Sequence, residues 1–174
     1  DDDDDYASRR TVLGKSLSSN PTHLATLADM DLEVRGCLAL FVDVCVRMGE
    51  EEVGGSSSSS SSSSSVLLRL LTPLLKLYAG KMSIRVTSEA IECVGGTGYM
   101  EDSYLPVLLR DAQVTSIWEG TTNVLSHDLW RPLLKQNAGP VYADRVRECI
   151  STPIASLQRS SMRVVTALDK VQLH

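Results

Sequence analysis

Residues 116–123 read Ser-Ile-Trp-Glu-Gly-Thr-Thr-Asn, and they place one carboxylate, Glu119, between a tryptophan and a glycine. A glutamate in a turn is commonly a solvated surface charge. Here it follows an apolar, β-branched run of Val114, Thr115, Ile117 and Trp118, which predicts a buried approach. A carboxylate held against apolar walls has its charged form destabilised and its pKa raised, as a general base near neutral pH requires. Thr121, Thr122 and Asn123 follow at once and are good N-caps for a helix. A helix N-terminus that carries hydroxyl and amide side chains also suits a phosphate or diphosphate.

Two further stretches offer ligand chemistry. Gly95-Gly96-Thr97-Gly98-Tyr99 is first a helix stop and tight turn. Its bare backbone also lets a ligand come close, because no Cβ intervenes. It is not a dinucleotide fingerprint, since residue 101 is Glu101 and no strand precedes it. Arg10, in Arg-Arg-Thr-Val-Leu-Gly-Lys, is either a surface charge near the end of a first helix or a two-pronged donor for a phosphate. Adjacent Arg110 and Asp111 read as a structural ion pair. The three histidines are scattered without ligand spacing, and no metal site is expected.

The elements that must position these residues are helical. Leu24, Leu27, Val34, Leu38, Phe41, Cys45 and Met48 recur at three-and-four spacing, one stripe of a long helix that Asn20 and Pro21 introduce. A second long helix runs from about Val66 to Val94, with Leu67, Leu71, Leu74, Tyr78 and Met82 on one face, until Gly95 and Gly96 stop it. Residues 104–112 make a short helix with Pro106 in its first turn. A further helix starts among Thr121, Thr122 and Asn123 and reaches about Lys135. Beyond Pro140, Val141, Val146, Ile150, Ile154 and Leu157 continue a stripe broken by Pro153. Met162, Val165, Leu168 and Val171 complete a helical tail. The brief run Val114–Trp118 is the one β-like signal. The expected fold is an all-α helical bundle with a C-terminal helical extension.

At 174 residues the chain suits one core, and two segments look unable to join it. Asp1 to Asp5 form a self-repelling acidic end, and ten serines at 56–65 follow Gly54 and Gly55 as a low-complexity loop. The acidic end accounts for much of the net charge of −5. No basic stripe stands out, which argues against a nucleic-acid binder. No apolar run approaches a membrane span. Cys37, Cys45, Cys93 and Cys149 form no C-x-x-C pair, and three of them sit on helical stripes, so buried free thiols in a reducing compartment are expected. Without an initiator Met, and with Tyr6 to Arg10 reading as mid-helix, the chain reads as the back portion of something longer.

The order and spacing of these pieces are more specific than any one of them. R-x-x-x-G, a long helix ending E-x-x-G-G-x-G-Y, then L-x-R-D-A and I-W-E-G-T-x-N resemble the C-terminal domain of the acyl-CoA dehydrogenase family over residues 6–135. The serine loop at 54–65 interrupts that span and residues 136–174 extend it. Trp118, Glu92 and the extension favour the AidB-like branch. The resemblance implies an FAD-dependent oxidoreductase that makes an α,β-double bond in an acyl-CoA thioester, with Glu119 as the base. It implies that the flavin ribityl and the backbone N–H of Glu119 serve the carbonyl oxygen. It implies that Arg10, Glu92, Gly95 and Gly96 contact a flavin held mainly by a neighbouring subunit, while Thr121 and Asn123 hold the ADP part of their own.

A homo-oligomer (dimer or tetramer), electron-transfer flavoprotein as acceptor and a mitochondrial location are further family expectations. Two departures stand out: Leu13 where many members carry phenylalanine, and Glu92 where glutamine is usual, a carboxylate that would repel a diphosphate unless neutralised or turned away. Two alternatives stay open on the residues alone: a truncated non-catalytic bundle that pairs with full-length subunits, and an AidB-like nucleic-acid-associated flavoprotein.

Overall fold

The computed structural model describes residues 6–54 and 59–150. The acidic end, part of the serine tract and the expected tail from residue 151 onward, with Pro153, Ile154 and Leu157, lie outside the described residues. Among the described residues the architecture is helical apart from one hairpin of two-residue strands. Helix α1 (Tyr6–Arg9) leads into strands β1 (Thr11–Val12) and β2 (Lys15–Ser16), which pair antiparallel with Thr11 opposite Ser16. Then follow α2 (Pro21–Gly54), α3 (Ser59–Val94), α4 (Gly96–Tyr99), α5 (Leu105–Thr115), α6 (Thr122–Lys135) and α7 (Ala138–Ile150).

Most helix boundaries have a local cause. The Asn20 side chain accepts the Thr22 N–H at 3.0 Å, which satisfies one of the orphan donors that start α2. Pro106 sits in the first turn of α5, where its missing N–H costs nothing. At the end of α3, Gly95 takes φ 71° and ψ −147°, a conformation that needs glycine. Gly96 does not stop the helix as expected. It begins α4 instead.

The N-terminal segment corrects an expectation. Arg10 does not lie mid-helix: the described helical residues Tyr6–Arg9 end before it. The chain then reverses through Leu13 (φ 51°) and Gly14 (φ 76°), a two-residue hairpin turn that demands positive φ at both positions. The Val114–Trp118 run is not a strand either. It splits between the last turn of α5 and the turns after it, because Ile117 and Trp118 N–H both return to the Val114 carbonyl.

The chain forms two compact units. In the first, Asp1–Val42 with Leu75–Val124, α2 and α3 run antiparallel. Arg85 pairs with Glu33 through an Nε–Oε2 bond of 2.9 Å, and the missing Cβ of Gly36 faces the Tyr78 hydroxyl. In the second, Asp43–Leu74 with Leu125–His174, Val44, Leu67, Leu70 and Leu71 share the core with Leu125, Ala138 and Ala143. Asp43 accepts from both Arg145 (2.7 Å) and Arg47 (3.3 Å), tying α7 to α2.

Two burial expectations fail. The apolar stripe of α2 is exposed at Leu24, Val34, Leu38 and Phe41, whereas Cys37 and Val44 are covered and Met30 and Leu40 are half-buried. The covered seam is therefore displaced around the helix from the most apolar one. Of the cysteines only Cys37 is buried, while Cys45 and Cys149 are exposed. The serine tract also folds in part. Ser59 to Ser65 extend α3, with the Ser64 and Ser65 hydroxyls donating to Glu50 (2.6 Å) and Glu51 (2.9 Å) on α2.

Candidate active-site loop and cofactor corner

Both candidate regions belong to the first unit. The corner forms where the N-terminal segment docks on the end of α3. The Tyr6 hydroxyl donates to the Val94 carbonyl at 2.7 Å. The Ser16 hydroxyl shares its one proton between the carbonyls of Ala7 (2.9 Å) and Ser8 (3.1 Å), which ties the hairpin to α1. This places Arg10 beside the glycines. Arg10, Glu92, Gly95 and Gly96 together line a cavity of about 410 Å³. Four residues chosen from the sequence thus meet in one place, although 82 positions separate Arg10 from Glu92 (92 − 10).

The corner has the chemistry of an anion site that is partly balanced. A Cβ built on Gly95 or Gly96 would meet no protein atom within 4 Å, so the bare backbone faces open space. Arg10 offers a planar fork of donors, and Glu92 puts one negative charge into the same cavity. Cys93 lines it too, which the sequence reading did not anticipate. Burial, followed by the negative charges of Glu89 and Glu92, pushes its thiol pKa up. Within α4, on the same corner, Gly98 packs so closely on α3 that a Cβ there would stand 2.6 Å from the Ile91 carbonyl oxygen.

The loop lies between α5 and α6. Glu119 has φ 54° and Gly120 φ 118°. A positive φ is ordinary for glycine and costs about 1–2 kcal/mol for most other residues. Thr121 immediately precedes the first residue of α6 and Asn123 is its second. Both are exposed at the helix N-terminus, where N–H groups and the helix dipole favour an anion. The loop is anchored from α3: Lys76 Nζ donates to the carbonyls of Thr115 (3.2 Å), Trp118 (2.7 Å) and Gly120 (3.1 Å).

The expected buried approach to Glu119 is not found. Glu119 is exposed, as are Ile117 (61%) and Trp118 (59%), because turns rather than a core strand carry them. The apolar walls are present in the covalent chain and open to solvent. Arg110 also differs from expectation. It forks onto Glu101 at 3.1 and 2.9 Å, and this hydrogen bonding holds the Glu101 carboxyl below its ordinary pKa. Glu119, Thr121 and Asn123 do not line the cavity of the corner. Among the described residues no group of three or more His, Cys, Asp or Glu could hold a metal ion.

Residues 4–134 match the family described as "Acyl-CoA dehydrogenase, C-terminal domain". The chain belongs to the acyl-CoA dehydrogenase family. This acyl-CoA dehydrogenase domain is 45% identical over 172 residues to Acyl-CoA dehydrogenase family member 11 of Caenorhabditis elegans, covering 97% of the chain and 27% of that protein. It is 34% identical over 131 residues to the putative acyl-CoA dehydrogenase AidB of Escherichia coli, covering 75% of the chain and 23% of that protein.

In three dimensions it is similar to Caenorhabditis elegans ACDH-11 solved in complex with C11-CoA, with a TM-score of 0.86 at 44% identity. That match covers 96% of the domain and 28% of the ACDH-11 chain. The domain therefore spans about a quarter of the length of these relatives, and its all-α fold is the fold of their family.

Proposed function

We propose that this domain is the C-terminal part of an FAD-dependent acyl-CoA dehydrogenase in which Glu119 removes the α-proton of an acyl-CoA thioester. The observation that carries this reading is the backbone of Glu119. A non-glycine residue is held at φ 54° beside a freely permitted Gly120, in a loop pinned by three bonds from another helix. Such local strain persists where the surrounding structure over-determines it, and it concentrates at functional sites. The exposed Ile117 and Trp118 support the same reading, since they are ready to become the dry walls that raise a carboxylate pKa once the rest of the enzyme covers them.

The residues present fit a flavin dinucleotide. Thr121 and Asn123 at the start of α6 would bind one diphosphate. Arg10 and the open backbone of Gly95 and Gly96 would bind the adenosine and diphosphate end of another, held mainly by a second subunit. On the family pattern one copy of the domain contributes to two flavin sites, which calls for a homo-oligomer, and the separation of the two groups supports that reading. The exposed apolar stripe of α2 (Leu24, Val34, Leu38, Phe41) offers an interface of the right chemistry. Glu92 is tolerable at the corner because Arg10 shares its cavity.

FAD, when bound, accepts the hydrogen lost from the β-carbon, so the hard redox chemistry is the cofactor's. The domain's own tasks are to hold the Glu119 carboxylate at the α-carbon, keep water away with Trp118 and Ile117, and present donors where charge develops on the thioester oxygen. Reoxidation by an electron-transfer flavoprotein and a mitochondrial location belong to the same proposal.

The test is Glu119→Gln in the FAD-loaded protein that carries this domain, with acyl-CoA-driven dye reduction as readout. A general base contributes ~10²–10⁴-fold, so a loss of that size at unchanged flavin content is expected. Activity at the parental level would overturn the assignment. A second reading, a bundle that associates with larger copies without chemistry, is favoured by the solvent exposure of Glu119. It predicts no flavin bound and no dye reduction by the parent itself.

A further inference from the structure

We propose that Lys76 is the positioning residue of the Glu119 loop, a single ammonium that sets both the backbone of the base and the start of the helix expected to hold the cofactor. The proposal rests on the reading of Glu119 as the base. Three carbonyls, from positions 39, 42 and 44 residues along the chain, converge on Lys76 Nζ at 2.7 to 3.2 Å. Lysine is suited to this task, with three rotatable N–H donors and no acceptor.

The chosen carbonyls explain the function. Thr115 is the last residue of α5, so its carbonyl is one of the orphan acceptors that end a helix. Trp118 and Gly120 are the two neighbours of Glu119, so the chain is held on either side of the candidate base. Gly120 lies two residues before α6, so the same contact registers the N-terminus that carries Thr121 and Asn123. One turn beyond Lys76, a Cβ at Gly80 would lie 3.6 Å from Ser116 Cα and the Thr115 oxygen, in ordinary contact, so α3 and the loop are closely packed there.

The Trp118 contact has a directional consequence. The peptide joining Trp118 to Glu119 is planar and trans, so its N–H points opposite to its C=O. Drawing the Trp118 oxygen onto Lys76 therefore aims the Glu119 N–H away from the lysine. A cation on the carbonyl also polarises the peptide and strengthens that N–H as a donor. One residue on α3 thus orients the Glu119 amide and fixes the backbone from which its side chain projects. These bonds flank the residue held at φ 54° on both sides.

The experiment compares the parent, Lys76→Met and Lys76→Arg in the FAD-loaded protein carrying this domain. Amide hydrogen exchange is followed over residues 116–123 and over α3, and kcat and KM are measured for acyl-CoA-driven dye reduction. Lys76→Met keeps length and removes the charge. It is expected to speed exchange in 116–123 at least ~10-fold while α3 keeps its protection, as local opening differs from global unfolding. It is expected to lower kcat ~10–100-fold with KM nearly unchanged, since misplacing a catalytic group by about 1 Å costs on this scale.

Lys76→Arg keeps the charge but offers a planar fork, which cannot converge on three carbonyls, and an intermediate effect on both readouts is expected. It carries the test alone if Lys76→Met does not fold. Parental exchange in 116–123 together with parental kcat overturns the proposal, and so does faster exchange with parental kcat. Should Glu119→Gln keep full activity, the base reading falls. The exchange of 116–123 would still decide whether Lys76 holds the loop.

Discussion

The corner at Gly95–Tyr99 and the loop at Ser116–Gly120 solve the same problem in opposite ways. Each ends one helix and starts another within a few residues, and each needs a positive φ. The corner supplies it with a glycine, Gly95 at 71°, and its turn closes through short-range contacts, the Gly95 N–H on the Ile91 and Glu92 carbonyls and Gly98 against Ile91, with Tyr6 docking on the Val94 carbonyl from farther along the chain. The loop supplies it with a glutamate at 54° and is held by a lysine about forty positions away. A local corner is made of residues with no side chain to strain. A strained loop is made where the side chain itself is needed, and the restraint comes from elsewhere in the fold.

The largest effect expected from breaking this comparison is at the corner. Gly98→Ala would push a Cβ to 2.6 Å from the Ile91 oxygen and 3.1 Å from Val94 Cβ, so the backbone must move. Overpacking of this kind costs about 1–3 kcal/mol, measurable as a lower denaturant midpoint. If the midpoint does not change, the corner is looser than its geometry states.

The opposite sign is expected at the loop. Glu119→Gly relieves the strained φ and should stabilise the protein by about 0.5–1 kcal/mol while abolishing dye reduction. Loss of stability on this change would mean that the loop stores no strain. The smallest effect concerns Cys93, beside the corner. Its raised pKa means less thiolate at a given pH, so alkylation of Cys93 should reach half its limiting rate at a higher pH than a free cysteine does. A profile at or below that of free cysteine would show that the corner is wetter and less acidic than the structure indicates.

Much of this was legible in the chain. Asn20 with Pro21, Gly95, Pro106 and the Thr121–Asn123 cluster mark helix limits by mechanisms confined to a single turn, and each limit falls within a few residues of its expected place. The grouping of Arg10 with Glu92, Gly95 and Gly96 came from motif order, and the structure brings these residues to one cavity. Other features depended on packing. The α2 stripe of Leu24, Val34, Leu38 and Phe41 is the more apolar face, yet the seam through Cys37 and Val44 is the one covered, because periodicity reports a face without naming its partner. Val114 to Trp118 have strand-like residue types, but the helical bonds of α5 had already claimed Val114 and Thr115.

The serine tract shows the same limit. Composition predicts a flexible linker, whereas Ser64 and Ser65 find Glu50 and Glu51 opposite them and extend α3. By itself the amino-acid sequence determined where helices begin and end and which residue types stand ready for proton transfer and anion binding, since caps, glycine stops and short motifs act over a few neighbouring residues. Tertiary structure alone decided which faces are covered and that Lys76 reaches across from α3 to three carbonyls around Glu119. Burial and convergent hydrogen bonds are properties of residues distant in the chain, and only the packing of one helix against another brings them together.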